Sequence, residues 1–177
     1  MTAPEFSRPV RVDTLGEQPR TMRIAAEPGE RAAVAARFGL IALDRLEADL
    51  TLSRKEEEIA VHGTLEAAVA QACVASGAPV PATLAAPFDI LFRRPPEPGQ
   101  PDEEIELSDS ELDVIFYEHG EIDVGEAVAE TLALSLDPYP RSPEAEAILR
   151  AAGVKPEGEE EKGPFAALAG LKDRLKP

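Results

Sequence analysis

Residues 46–72, "LEADLTLSRKEEEIAVHGTLEAAVAQA", decide the fold because apolar residues occupy every second position on both sides of a charged turn. An alternation of period two is typical of a β-strand with one face on the core and one face in water. The apolar positions are Leu46, Ala48, Leu50 and Leu52 before the turn, and Ile59, Val61, Gly63, Leu65, Ala67 and Val69 after it. We expect two long antiparallel strands joined at residues 55–57, with Gly63 at a bulge or bend.

The same reasoning extends the sheet in both directions along the chain. Residues 64–75, "TLEAAVAQACVA", contain enough alanine for a helix, but they continue the alternation, which favours a strand. Residues 84–92 predict a returning strand, and residues 6–26 predict two short strands joined by a turn around Gly16 and Pro19. A further strand is predicted in "LDVIFYE", with Leu112, Val114 and Phe116 on one face.

Three segments have helix signals. Pro28 begins and Gly39 ends an alanine-rich run. Asp123 with Glu126 three residues later predicts an N-terminal capping box. The helix that follows has a predicted buried stripe of Val124, Val128, Leu132 and Leu136. A short helix is expected at about 143–152.

These elements predict one α+β domain over residues 1–152, with an antiparallel, partly closed sheet of about six strands and two or three packed helices. We expect an acidic loop at 95–111, a flexible acidic linker at 153–163 and a short amphipathic helix at 164–177. The apolar stripe of that last helix is Phe165, Leu168 and Leu171. Its spacing is compatible both with docking on the domain and with docking on a partner.

The charge is strongly uneven along the chain. The net charge is −16, and residues 95–140 contain fourteen Asp or Glu with no Lys or Arg. Such a block repels phosphates and attracts basic proteins, although an ordinary solvated loop would look the same. The candidate acidic face comprises Glu103, Glu104, Glu106, Asp109, Glu111, Glu118, Glu126 and Glu130. A small arginine face that could contact RNA comprises Arg8, Arg11, Arg20 and Arg23.

Signals for chemistry are weak. Cys73 is the only cysteine, and neither His62 nor His119 stands in a recognisable catalytic or zinc spacing with it. The sequence also lacks a phosphate-binding glycine loop and a nucleophile elbow. We expect no enzymatic activity, no cofactor and no metal. No signal peptide and no membrane-spanning run is evident, so a cytoplasmic protein is expected.

Three stretches together resemble the YceD-like family. Residues 61–92 are similar to its central signature, residues 121–143 ("EIDVGEAVAETLALSLDPYPRSP") to its downstream block, and residues 163–172 ("GPFAALAGLK") to the tail of its alphaproteobacterial branch. The resemblance implies a bacterial factor for accumulation of large-subunit ribosomal RNA, without catalytic activity. Many members carry Cys-x-x-Cys where this chain has Cys73 and Ser76, so a metal or redox role of that pair is not expected here. We interpret Cys73 as a small buried residue at a strand-to-turn junction.

Two mechanisms remain open for such a factor. In the preferred one, the acidic face binds a basic large-subunit ribosomal protein, and the stripe of Phe165, Leu168 and Leu171 adds an apolar anchor. In the other, the arginine face contacts large-subunit ribosomal RNA directly. A barrel that binds a small molecule is a remote third possibility. Neither DNA nor a membrane is expected as a partner.

Overall fold

The computed structural model describes residues 4–95, 113–118 and 120–154. These parts of the chain form a three-residue 3-10 turn, Val12–Thr14, together with seven strands and three helices. The strands are β1 (Pro9–Arg11), β2 (Arg20–Ala25), β3 (Ala42–Lys55), β4 (Glu58–Ala72), β5 (Pro79–Arg93), β6 (Asp113–Phe116) and β7 (Glu121–Asp123). The helices are α1 (Pro28–Arg37), α2 (Val124–Ser135) and α3 (Ala145–Ala151). The predicted acidic loop, apart from Pro95, lies outside the described residues, as do the predicted C-terminal helix and the linker beyond Val154.

Five of the strands form one sheet in the order β2-β3-β4-β5-β6. The α+β prediction is confirmed, but two details of the sheet differ from expectation. It is open rather than partly closed, so the described strands enclose no barrel interior. It is also mixed, because β6 pairs with β5 in parallel, from Ile90 opposite Asp113 to Arg93 opposite Phe116. The connection from β5 to β6 is long enough to return the chain to the same end of the sheet, as a parallel pair requires.

The prediction of two short strands joined by a turn implied that β1 pairs with β2. In the structure, β1 does not pair with β2. It pairs instead with β7 in a separate two-stranded ribbon, with Val10 opposite Ile122. Two three-residue strands bury too little by themselves to be stable, and Phe6, fully buried just before β1, fixes the ribbon to the core.

The long hairpin at the centre of the sheet agrees with the alternation in the sequence. Lys55 pairs with Glu58, and β4 continues as a strand through the alanine-rich segment to Ala72. Gly63 is not at a bulge: it pairs in register with Leu50 and Phe88, and the register shift lies between Leu43 and Arg45. A Cβ on Gly63 would stand 2.7 Å from the ring of Phe88, so glycine is needed there for close packing.

The core lies between the inner face of the sheet and the helices. Helix α1 packs on β3, and α2 packs on β5, β4 and β1. The largest fully buried side chains are Phe6, Val34, Leu46, Leu52, Ile59, Val61, Leu65, Ile122, Val124, Val128 and Leu132. Three residues of the predicted stripe of α2 are therefore buried, while Leu136 is only half-buried. No helix in the described residues is long and apolar enough to cross a membrane.

Candidate functional site

The N-terminus of α2 is fixed by Asp123, whose carboxylate is a local hub. It accepts hydrogen bonds from the main-chain N–H of Gly125 at 3.0 Å and of Glu126 at 3.1 Å, which makes Asp123 the predicted N-cap. It also accepts from the Arg8 N–H at 2.7 Å and the Ser7 hydroxyl at 2.5 Å. The N-terminal segment and α2 are thereby joined in one rigid unit.

The predicted capping box also implied that the Glu126 side chain accepts a hydrogen bond from the Asp123 N–H, and this part of the prediction is wrong. The Glu126 carboxylate lies 2.8 Å from the guanidinium of Arg37, which also contacts Glu5 at 3.0 Å. Glu126 therefore neutralises a cation of α1 instead of reaching back to its own helix terminus. A reciprocal box does occur at the start of α1, between Glu27 and Glu30.

The predicted acidic face is only partly within the described residues. Glu118 follows β6, whereas Glu126 and Glu130 lie on α2. Glu126 is charge-compensated by Arg37, while Glu130 is exposed and has no ion pair among the described residues. The other predicted members, Glu103, Glu104, Glu106, Asp109 and Glu111, lie outside the described residues, as do Phe165, Leu168 and Leu171.

Two large apolar side chains that sequence reasoning missed are highly exposed within nine residues after Glu130. Leu134, one helical turn after Glu130, is 81% exposed, and Tyr139 is 71% exposed. Asp137 lies between them and accepts a hydrogen bond from the Tyr139 N–H at 2.8 Å. We define Glu130, Leu134, Asp137 and Tyr139 as the acidic–apolar surface.

The surroundings of this surface are strongly acidic. Residues 113–154 carry nine Asp or Glu against two arginines, whereas residues 4–95 carry thirteen against eleven basic residues. The sequence did contain a signal for the acidic–apolar surface, because Leu134 is an apolar residue that lies outside the buried stripe of an amphipathic helix.

The turn after β4 holds the acidic–apolar surface in place. The Gln71 amide donates to the Asp137 carbonyl at 2.9 Å, and the Val74 N–H donates to the Pro140 carbonyl at 2.9 Å. The Ser142 N–H donates to the Cys73 Sγ at 3.3 Å. These three hydrogen bonds therefore hold residues 137–142 against the end of β4 and the turn that follows it.

Cys73 is 3% exposed and lies where β4 passes into the turn, which confirms its predicted place. Hydrogen bonds from the Ser142 hydroxyl and N–H, and then from the Ser76 hydroxyl, lower the pKa of the thiol to about 6. Ser142 is 69 residues from Cys73 along the chain, so no local pattern could have joined them. His62 is elsewhere, on the solvent face of β4, where it pairs with Asp89. No group of three potential metal ligands occurs within the residues that the structure describes.

Of the four arginines of the predicted basic face, Arg8 precedes β1, while Arg11 on β1 and Arg20 and Arg23 on β2 lie in two separate sheets. Arg8 is held by Glu30 at 2.6 and 2.8 Å, and this hydrogen bonding lowers the pKa of Glu30. Arg23 is paired with Glu47 at 3.0 Å.

Arg11, at the end of β1, is paired with Asp13 at 2.5 Å. Arg20, at the start of β2, has no ion pair in the described part of the chain. The structure instead brings Arg11 together with Arg54 and Arg94 around one hollow.

Comparison with known proteins identifies the family. Residues 61–172, more than half of the chain, match the family described as large ribosomal RNA subunit accumulation protein YceD. The matched range takes in the Cys73 turn, α2 and the acidic–apolar surface. No curated protein and no solved structure matches the chain. The resemblance seen in three stretches of sequence is thus confirmed, and the chain belongs to the YceD family, whose role is accumulation of large-subunit ribosomal RNA.

Proposed function

We propose that this protein supports accumulation of large-subunit ribosomal RNA by binding, not by catalysis, and that its ligand is a basic ribosomal protein. The observation that supports the proposal is the acidic–apolar surface, in which Leu134 and Tyr139 stand in water among carboxylates. As a bacterial assembly factor it would act in the cytoplasm.

The composition of this surface suits a cationic protein. A leucine and a tyrosine that are both largely exposed leave apolar area that a partner can bury, and tyrosine is a frequent anchor in interfaces. The surrounding carboxylates would steer a lysine- and arginine-rich protein and would repel RNA phosphates.

The acidic residues outside the described part would strengthen the same preference. Glu103, Glu104, Glu106, Asp109 and Glu111 belong to the segment between Arg94 and β6, and we propose that their charge adds to the attraction of a cationic partner. We propose Phe165, Leu168 and Leu171 as a second apolar anchor. A basic protein held in this way would be kept from unspecific phosphate contacts until it meets its own RNA site.

Direct contact with RNA through Arg8, Arg11, Arg20 and Arg23 has less support. Three of these guanidiniums already have carboxylate partners, and Arg8 is partly buried. Arg11 and Arg23 also lie on strands of different sheets, so the four arginines do not follow one strand or ribbon.

The test is binding of the purified full-length protein to a panel of basic large-subunit ribosomal proteins from the same organism. The double variant Glu130→Lys/Leu134→Gln should weaken the best complex about tenfold or more, which corresponds to roughly 1.4 kcal/mol. The matched control is Glu17→Lys, an exposed charge reversal in the loop that contacts the opposite end of the hairpin. Failure of every basic protein to bind, or equal losses in the two variants, would refute the proposal.

Charge reversal of the acidic segment separates the two partner classes. Glu103→Lys, Glu104→Lys and Glu106→Lys together should weaken the protein complex and strengthen any RNA binding, because the segment loses its negative field. Stronger binding of the ribosomal protein to this variant would contradict the proposed role of the acidic face.

A further inference from the structure

A second charged feature lies at the other end of the hairpin from the acidic–apolar surface. A hollow of about 390 Å³ opens between the ribbon of β1 and β7 and the ends of β3 and β5. Three guanidiniums line it, those of Arg11, Arg54 and Arg94, together with the carboxylates of Asp13 and Glu121.

The position of Arg54 is set by main-chain contacts. Its Nη1 donates to the Val12 carbonyl at 3.1 Å and its Nε to the Glu56 carbonyl at 2.8 Å. The Arg54 N–H donates to the Gly16 carbonyl at 3.2 Å, and the Val12 N–H donates to the Gly120 carbonyl at 2.9 Å. The walls of the hollow are therefore tied to each other by backbone hydrogen bonds, so the site is largely preformed.

Among the described residues, Arg54 is attracted by the Asp13 carboxylate at longer range but forms no ion pair with it. Its described partners are carbonyl oxygens, and no carboxylate of the described chain lies within ion-pair distance of it. Arginine stays protonated in proteins, so this guanidinium keeps its full charge beside the hollow. The Arg54 guanidinium thus differs from those of Arg8 and Arg37, which are held by carboxylates.

The two flanking arginines have partners that a stronger anion could replace. Arg94 lies 3.4 Å from Glu57, and both side chains are more than half exposed. Arg11 and Asp13 also form an exposed pair. Exposed ion pairs contribute about 1 kcal/mol or less, so a multiply charged ligand can take over their donors.

We propose that this hollow binds a phosphate group, with Arg54 as the central ligand and Arg11 and Arg94 as flanking ligands. Planar guanidiniums with several donors match the oxygens of a phosphate, and three of them suit a tetrahedral oxyanion better than a single carboxylate. The side chains that line the hollow are three arginines against two carboxylates, Asp13 and Glu121, so the lining itself carries a small positive excess. The site is independent of the protein partner proposed above and would fail or succeed separately from it.

The phosphate could be free or part of an RNA chain, and one titration distinguishes the two sources. Main-chain amide NMR shifts of the full-length protein are followed with inorganic phosphate, with pyrophosphate and with a short single-stranded RNA. We expect the amides of residues 11–13, 54 and 120–121 to shift with at least one of these probes. Shifts with pyrophosphate at concentrations similar to RNA identify a free phosphate ligand, and shifts with RNA alone identify the RNA backbone.

The variants test which charge is responsible. Arg54→Gln should weaken binding of the active probe about tenfold, and Arg94→Gln should weaken it severalfold. Arg45→Gln is the matched control, since Arg45 is on the same strand as Arg54, about 30 Å away at roughly 3.3 Å per residue. Arg94 is exposed, so Arg94→Gln keeps the test valid if Arg54→Gln fails to fold.

Two results would overturn the proposal. The first is absence of binding by all three probes. The second is an equal loss in Arg54→Gln and Arg45→Gln, which would show unspecific attraction.

Discussion

At the scale of single residues, Cys73 joins the end of β4 to the segment that carries Tyr139. Its sulfur accepts from Ser142, and its main-chain N–H donates to the Ala78 carbonyl at 2.8 Å. Because the donors favour the thiolate, the pKa of the thiol is lowered to about 6. The residue thus acts as a hydrogen-bond acceptor that holds residues 137–142 against the end of β4.

Removing the main donor should reverse that shift. In Ser142→Ala the hydroxyl is lost, so we expect the pKa of the Cys73 thiol to rise clearly above about 6. The measurement is ultraviolet absorbance of the thiolate as a function of pH. Ser135→Ala is the control, because the Ser135 hydroxyl donates to the Thr131 carbonyl and not to the sulfur. An unchanged pKa in Ser142→Ala would contradict this account of the hydrogen bonds to the sulfur.

The same shift predicts how stability depends on pH. The folded-state pKa of the thiol is below its unfolded value of about 9, so the thiol contributes stability at high pH, and that contribution is lost as pH falls through about 6. Between these values, the free energy of unfolding of the parent protein should rise with pH more steeply than that of Cys73→Ser. Urea unfolding at several pH values gives both curves, and parallel curves would be the contrary result.

Two glycines should respond in opposite ways to the same substitution. Gly63→Ala places a Cβ 2.7 Å from both the Asp49 carbonyl and the Phe88 ring, and should destabilise the protein by about 2 kcal/mol. Gly29→Ala, in α1, meets no atom within 4 Å, and should stabilise it by about 0.5 kcal/mol through the lower entropy of the unfolded chain. Chemical unfolding measures both. If Gly63→Ala were neutral, close packing of Phe88 would not be the reason for glycine there.

At the scale of elements, β5 shows how the sheet protects its edge. β5 pairs with β4 along its whole length, but with β6 only from Ile90 to Arg93 among the described residues. Backbone groups of odd-numbered residues point away from β4, as the bond from the Tyr117 N–H to the Arg93 carbonyl shows. Pro79, Pro81 and Pro87 all occupy odd positions, so they remove donors from the outer edge without weakening the ladder to β4.

Restoring main-chain N–H donors at these proline positions should allow the outer edge of β5 to pair with a strand of another molecule. The double variant Pro81→Thr/Pro87→Thr is expected to self-associate more than the parent protein at equal concentration, since a second strand could then pair with β5. Analytical ultracentrifugation measures the change in mass. Pro143→Thr, outside the sheet, controls for the loss of a proline, and equal behaviour of the two variants would count against edge protection.

The elements differ in how far the sequence could predict them. Alternation over residues 46–72 was long enough to predict β3 and β4, and Pro28 and Gly39 were sufficient to bound α1, because these signals are local. The pairing of β1 with β7 could not be predicted, since strands of three residues show no usable period and their partners are more than a hundred residues apart.

The sequence could predict the negative charge of the candidate site, but not which apolar side chains are exposed there. The excess of carboxylates is visible in the composition, whereas the exposure of Leu134 depends on how α2 packs on β5. The hollow around Arg54 joins three separate parts of the chain through main-chain bonds, for which side-chain patterns carry no signal.

At the scale of the whole molecule, the long hairpin separates two surfaces of opposite character. Arg54 pairs with Ile59 at one end of β4, and Gln71 contacts Asp137 at the other end, about 40 Å away at roughly 3.3 Å per residue. The arginine hollow and the acidic–apolar surface therefore lie far enough apart to hold different ligands at once.

The interaction is tested most directly by site-specific photo-crosslinking in cells of the source organism. A photoreactive residue replaces Leu134 in one chain and Arg20, an exposed position in the five-stranded sheet, in another. We expect position 134 to capture a basic large-subunit ribosomal protein in a product that survives ribonuclease, and position 20 not to capture it. Capture of RNA alone at position 134, or the same product from both positions, would contradict the account.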